Sequence, residues 1–145
     1  MTDRLVGRGL VPGVVEAEAL VSHETISGWG GIDPARGVII ERRHELVDVC
    51  FTGKVLVFPG AKGSSGWSGF FQSTRLLGTA PAAMVFTTMT TKAVLGAVVT
   101  HVPTVSEFDG VDPVDEIETG DIVRVDGDAG VVTIVRRARD ARADG

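Results

Sequence analysis

Tyrosine is absent from this sequence, cysteine occurs once, and no apolar run approaches the ~20 residues needed to span a bilayer. Each shortage excludes something. A lone Cys50 forms no intramolecular disulfide and no all-cysteine metal site within the chain, and its simplest setting is a reducing cytoplasm. The first ten residues, MTDRLVGRGL, bring charge too early and offer too little apolar length for a signal peptide. Positive charge is also short. Fourteen Lys and Arg against 19 Asp and Glu leave a net charge of −5, which argues against nucleic acid as a partner. A membrane partner is not indicated either, and the lack of tyrosine carries no functional reading.

Glycine, by contrast, is plentiful, at 19 of 145 residues, within an ordinary balance of 43% hydrophobic and 23% charged side chains. That composition describes a soluble globular domain with its own core. No repeat, low-complexity tract or linker divides it. The expectation is one domain over residues 1–135 followed by a charged tail, 136–145. In that tail Arg136, Arg137, Arg139 and Arg142 mix with Asp140 and Asp144, and it reads as disordered and solvated.

The local patterns predict an α/β fold. Leu5 to Arg8, Val14 to Val21 and Val38 to Ile40 read as strands, the second with Glu16 and Glu18 on one wet face. No helix is expected before residue 60. KVLVF (Lys54 to Phe58) and APAAMVF (Ala80 to Phe86) are continuous apolar runs, the pattern of strands buried on both faces. Between them Phe70, Phe71, Thr74 and Leu77 fall on one helical face, with Gly78 as C-cap. Thr91 to His101 reads as a second helix capped by Thr90 or Thr91, and Val102 to Val105 as a third strand. These segments make a parallel β-α-β-α-β core with right-handed crossovers. Two alternating runs, Asp121 to Val125 and Gly130 to Val135, flank Asp126-Gly127 and predict a C-terminal hairpin.

One stretch stands out chemically: PGAKGSSGWSG, Pro59 to Gly69, between a buried strand and a helix. The carboxyl end of a strand meeting a helix start is where open α/β sheets bind ligands, and the free N–H groups there suit an anion. The loop has neither the G-K-[ST] ending of a Walker loop nor the spacing of a nucleophile elbow. It is either a tight turn or a site. As a site it is half of one: Lys62 is the nearest cation, and no base stands beside Ser64, Ser65 or Ser68 in sequence. His23, His44 and His101 lack metal-ligand spacing and read as solvated or hydrogen-bonded. Asp115, Glu116 and Glu118 read first as a solvated loop and second as a cation holder. Trp29 and Trp67, each in a glycine-rich loop, are packing plugs or walls of a site. An exposed apolar face containing both tryptophans and the 60–69 loop is expected.

Five segments taken in order, GRGLVPGVVEAEALVS, SGWGGIDPARGVII, GKVLVFPGAKGSSGWSG, GTAPAAMVF and GDIVRVDGDAGVV, resemble the small subunit of aconitase X, the stand-alone swivel domain of that branch of the aconitase superfamily. The resemblance implies a β/β/α swivel fold. It also implies a hydro-lyase subunit active only with a large aconitase-like partner, as a heterodimer or higher assembly. An iron–sulfur cluster is then bound by that partner's cysteines, with no metal and no cofactor held by this chain. The implied substrate is a small hydroxy acid. The first expectation is cis-3-hydroxy-L-proline, dehydrated through an enamine to Δ1-pyrroline-2-carboxylate. The alternative is mevalonate 5-phosphate, giving an anhydromevalonate phosphate. By position in the motif, Ser64 is the implied proton acceptor, with Lys62, Gly63 and Ser65 binding substrate. The loop departs from the family pattern at Lys62, where arginine is usual, and at Trp67, which replaces a glycine. Thr90, Thr91 and Lys92 stand where an acidic-proline stretch is usual. A non-catalytic swivel module and a self-contained phosphate-binding enzyme are the competing readings.

Overall fold

The computed structural model describes residues 3–140. In chain order its elements are β1 (Arg4–Val6), β2 (Arg8–Val11), β3 (Val14–Val21), β4 (Ile26–Ser27), β5 (Ile32–Asp33), β6 (Val38–Ile39), β7 (Val55–Phe58), β8 (Ala61–Lys62), α1 (Trp67–Leu77), β9 (Ala83–Phe86), α2 (Thr91–Thr100), β10 (Thr104–Ser106), α3 (Pro113–Glu116), β11 (Ile122–Asp126) and β12 (Val131–Arg136). Eight strands form one sheet in the order β1-β12-β11-β3-β7-β9-β10-β2. The β3-β7, β7-β9 and β9-β10 pairs are parallel, and the pairs outside them are antiparallel. The predicted β-α-β-α-β centre bracketed by antiparallel strands is the arrangement observed.

Alternation along the central strands sorts their side chains onto two faces. Leu56, Phe58, Met84 and Phe86 join Trp67, Phe71, Ala93 and Ala97 in an aromatic core beneath the helices. Val55, Val57, Ala83 and Val85 join Val123, Val125, Val132 and Ile134 in a valine-rich core on the other face. Continuous apolar runs are required because both faces of β7 and β9 are covered.

The two edges of the sheet are held by adjacent strands, with only Gly7 between β1 and β2, so the sheet curls back on itself. Sequence reading expected one short strand there. The break at Gly7 is what lets the chain leave one edge and enter the other. Gly7 N–H donates to Gly130 O at 2.8 Å and Gly127 N–H to Gly13 O at 2.8 Å, tying this corner to the C-terminal hairpin. The hairpin turn is four residues long, Gly127 to Gly130. Asp126 Oδ1 accepts from Asp128 N (3.0 Å) and Ala129 N (2.9 Å), and Gly130 takes a left-handed φ of 73°.

Four other expectations need correction. The third parallel strand is Thr104–Ser106, later than Val102 to Val105. Trp67, Phe71 and Thr74 set the buried stripe of α1, so Leu77, expected to face inward, is exposed and Leu76 lies opposite the stripe. The acidic loop contains a helix, α3, with Pro113 in its first turn and the Asp112 side chain accepting from Val114 N at 3.0 Å. The tail does not begin at 136. Arg136 ends β12, and Arg137 is buried, donating to Glu116 O at 2.8 Å and Asp3 Oδ1 at 3.2 Å. The remainder of the expected tail, 141–145, lies outside the described residues.

Candidate functional site

The Pro59–Gly69 loop is anchored by a short parallel pairing of β8 with β4, Ile26 opposite Ala61 and Ser27 opposite Lys62. This lays the SGWGG segment beside KGSSG, so two motifs 35 residues apart in sequence share one surface. Trp67 locks the arrangement from below. Its indole N–H donates to Ile26 O at 2.8 Å, and its ring stacks on Phe71 and Phe58. A Cβ at Gly96 of α2 would stand 2.1 Å from that ring, so the absence of a side chain there gives the indole its place. Trp67 is therefore fully buried, against the expectation that it would face solvent with Trp29. Trp29 itself is 74% exposed, edge-on to Phe70 with ring centroids 5.8 Å apart.

Lys62, Gly63, Ser64 and Ser65 come together in one turn, the last three exposed. Gly63 has φ 92°, a conformation that favours glycine, and a Cβ there would press on Ser27 Oγ at 3.1 Å. Ser64 O accepts from Trp67 N at 3.2 Å and Ser64 Oγ from Gly66 N at 3.3 Å, so this serine closes the turn that opens α1. Gly66 occupies the N-cap position with no side chain to cap the helix. Among the described residues, the N–H groups of Ser65, Ser68 and Gly69 have no acceptor. They are free donors at the positive end of the helix dipole, with Ser65 and Gly69 exposed. The Ser64 hydroxyl has no side-chain partner among the described residues, so none of them acts as its base.

Two lysines flank the turn, and only one was singled out from sequence as a ligand-binding group. Lys62 Nζ donates to Glu41 Oε1 at 2.8 Å, while Glu41 Oε2 is buried without a partner. Lys92, on the first turn of α2, reaches across to Gly63 O. Its contribution is tertiary, but a signal existed: it opens the helix that follows β9, the neighbouring parallel strand. Beside the turn, Pro34, Gly66, Gly69, Phe70 and Ser73 line a shallow cavity of about 200 Å3. Pro34 is held by the DPAR turn. There Arg36 Nε donates to Asp33 Oδ2 at 2.7 Å and keeps the Asp33 carboxyl below the ordinary carboxylate range.

The histidines do not join this site. His44 is buried with Ser22, and the pair has the look of a catalytic dyad, Nε2 to Oγ at 3.3 Å. Leu46 N–H donates to His44 Nδ1 at 3.0 Å, which leaves Nε2 protonated and facing the serine as a donor. Ser22 Oγ in turn donates to Glu24 O, so the network is structural. His23 contacts Glu45, and His101 caps α2 in a left-handed conformation. Cys50 is exposed, and among the described residues no three of His, Cys, Asp and Glu gather as a metal site.

Comparison with known proteins covers nearly the whole chain. Residues 4–134 match the profile of the aconitase X swivel domain. The phosphomevalonate dehydratase small subunit of Methanocella arvoryzae is 37% identical over 131 residues, 90% of this chain and 98% of that one. Its counterpart from Methanosarcina acetivorans is 32% identical over 133 residues, 92% of each chain. Among solved structures, the holo form of Thermococcus kodakaraensis aconitase X superposes with a TM-score of 0.86 at 34% identity, covering 93% of this chain and all of that one.

Proposed function

Because the chain belongs to the aconitase X swivel-domain family, we propose that it is the small subunit of an aconitase X-type hydro-lyase that dehydrates mevalonate 5-phosphate, with Ser64 as the proton acceptor. The observation that carries this reading is the turn itself. An exposed hydroxyl stands among unpartnered N–H donors at a helix start, flanked by two lysines, with no base beside it among the described residues.

A serine accepts a proton from carbon only if its alkoxide is held well below its ordinary basicity. Free N–H groups, the α1 dipole and a nearby ammonium all favour the anionic oxygen. The same donors suit an anionic substrate, and a phosphate takes more of them than a lone carboxylate. A zwitterionic amino acid such as cis-3-hydroxy-L-proline also needs a partner for its ammonium. The carboxylate at this loop, Glu41, is engaged by Lys62. The names of the relatives favour the phosphorylated substrate as well.

The iron–sulfur cluster that the family implies does not fit this chain, whose single cysteine is exposed and apart from any cluster of ligating side chains among the described residues. We assign the cluster to the large subunit. Among the described residues no helix is long and apolar enough to cross a membrane. The unpaired thiol supports a reducing, cytoplasmic setting.

The test is reconstitution with the large subunit and steady-state dehydration of both substrates. Mevalonate 5-phosphate is expected to be turned over with kcat/KM about 10,000-fold or more above cis-3-hydroxy-L-proline, the scale on which a site built for one polar group rejects a substrate lacking it. The reverse preference would overturn the substrate. Turnover by this chain alone would overturn the subunit reading.

A further inference from the structure

Outside the Ser64 turn, the most conspicuous unexplained surface is the outer face of α2. Met89, Thr90, Thr91, Val94, Leu95 and Val98 line a cavity of about 460 Å3, and Leu95 and Val98 are half exposed at 49% and 50%. A soluble helix normally presents polar side chains outward, so a row of Val94, Leu95 and Val98 there leaves apolar area uncovered. The buried side of α2, Ala93, Gly96, Ala97 and Thr100, already accounts for its packing on α1.

The charge around this surface is as unusual as its apolarity. Residues 49–106 hold four Lys and Arg and no Asp or Glu, whereas the rest of the chain holds ten Lys and Arg and all 19 acids. Both helices lie inside that acid-free span, with Arg75 and Lys92 as their charged residues. The groove also lies next to the candidate site along α2. Its wall begins at Met89 to Thr91, and the next residue, Lys92, touches the Gly63 carbonyl beside Ser64. A partner that closes over Ser64 therefore meets this groove.

We infer that the outer face of α2 is the docking surface for the large subunit, which inserts an apolar segment between Leu95 and Val98 and surrounds it with acidic side chains that face Lys92 and Arg75. The inference rests on the two-subunit reading above. Apolar contact at the centre holds the subunits together, and the acidic rim steers and orients them against two helices that carry no carboxylates. Docking at this place sets the large subunit's cleft over the Ser64 turn.

The experiment titrates the full chain, parent or variant, against its purified large subunit and reads Kd, then kcat at saturating partner. Leu95→Glu and Val98→Glu are expected to raise Kd by about tenfold or more, the usual scale for a central interface residue. Leu95→Lys should cost less than Leu95→Glu, because its charge meets acids. Val135→Glu, on β12, serves as an exposed control and should keep the parental Kd. A thermal melt of each variant within about 2 °C of the parent establishes folding. A parental Kd for both glutamate variants would overturn the inference, and so would Leu95→Lys binding as poorly as Leu95→Glu. A parent chain that self-associates, with Leu95→Glu abolishing only that association, would assign the face to a second copy and overturn it too. Ser64→Ala separates the two readings. It should bind with unchanged Kd and fail in turnover. Full turnover by that variant would sink the catalytic role while leaving the docking result standing.

Discussion

Two glycine-rich turns of this chain look alike in sequence and do opposite things. In GDAG, Gly127 to Gly130, backbone meets backbone: a Cβ at Gly127 would stand 1.8 Å from Val11 O, and one at Gly9 2.0 Å from Gly127 O. In GSSG, Gly63 to Gly66, no backbone crowds the glycines, and a Cβ at Gly63 would press only on the Ser27 side chain, at 3.1 Å. A Cβ at Gly66 meets only Ser64 Oγ at 3.4 Å, and one at nearby Gly69 meets nothing within 4 Å. The first turn uses missing side chains to close the curled sheet. The second leaves its space unfilled at the surface, beside donors without acceptors. Glycine content alone does not separate a closure from a site; what lies within 3 Å of the missing Cβ does.

The largest effect is expected where the space is already taken. Gly127→Ala drives a methyl into the Val11 carbonyl, and neither backbone can retreat without opening the sheet corner. A loss of about 3 kcal/mol or more is expected, lowering Tm by roughly 10 °C in a domain of this size. Thermal unfolding followed by circular dichroism reads it. A Tm within 2 °C of the parent would mean that the corner is not what holds the edges together.

Ser64→Ala should do the reverse, sparing the fold and removing the chemistry. The side chain is exposed and its one hydrogen bond, from Gly66 N at 3.3 Å, is weak. In the complex with the large subunit kcat is expected to fall about 100-fold or more, the scale of losing a positioned proton acceptor. Ser65→Ala should stay within a few-fold of the parent. If Ser65→Ala loses turnover and Ser64→Ala does not, the acceptor is the next residue along.

The lysines divide the site more finely. Lys92→Ala removes an ammonium whose partner is a carbonyl, so KM should rise by about tenfold with Tm unchanged, the pattern of an interaction made equally with bound substrate and transition state. Lys62→Ala also leaves Glu41 without its ion pair, and one oxygen of that carboxylate is already buried and unpartnered. Because both side chains are partly exposed, the pair is worth at most about 1 kcal/mol. The expected outcome is a smaller rise in KM together with a Tm lowered by a few degrees. Equal KM effects and equal melts would show that Glu41 does not restrain Lys62.

The local half of this comparison was readable from sequence, and the contact half was not. The parallel core, both helices, the Gly78 and Thr90 caps and the hairpin follow from apolar runs and capping residues that lie within a few positions of one another. The closure at Gly7 depends on Gly127 and Gly130, more than a hundred residues away, and no pattern around Gly7 announces it. Trp67 looked like a surface residue because the glycine that admits its ring, Gly96, sits in another helix. The acids at 115–118 read as a solvated loop because α3 is a single four-residue turn, too short to show a helical period. At the site, the strand–loop–helix setting was legible. The choice of Ser64 over Ser65 rested on the motif order, and Lys92 joins the candidate site only through its contact with Gly63 O.

The smallest expected effect falls at Gly69, in the first turn of α1, where the two uses of glycine are easiest to tell apart. A Cβ there meets nothing within 4 Å, and the position is helical with no left-handed φ. Alanine is the better helix former by roughly 0.5–1 kcal/mol, so Gly69→Ala should leave Tm unchanged or raise it by a few degrees. Yet Gly69 lines the shallow cavity beside the turn, and its N–H is one of the free donors. If that cavity receives substrate, a methyl group intrudes on it, and KM should rise two- to five-fold, a small steric cost of about 0.4–1 kcal/mol when converted at RT ln of the ratio. A gain in Tm together with a higher KM would show that this glycine is kept for the ligand, not for the fold. A gain in Tm with KM unchanged would confine the binding surface to the side of the turn nearer Lys92.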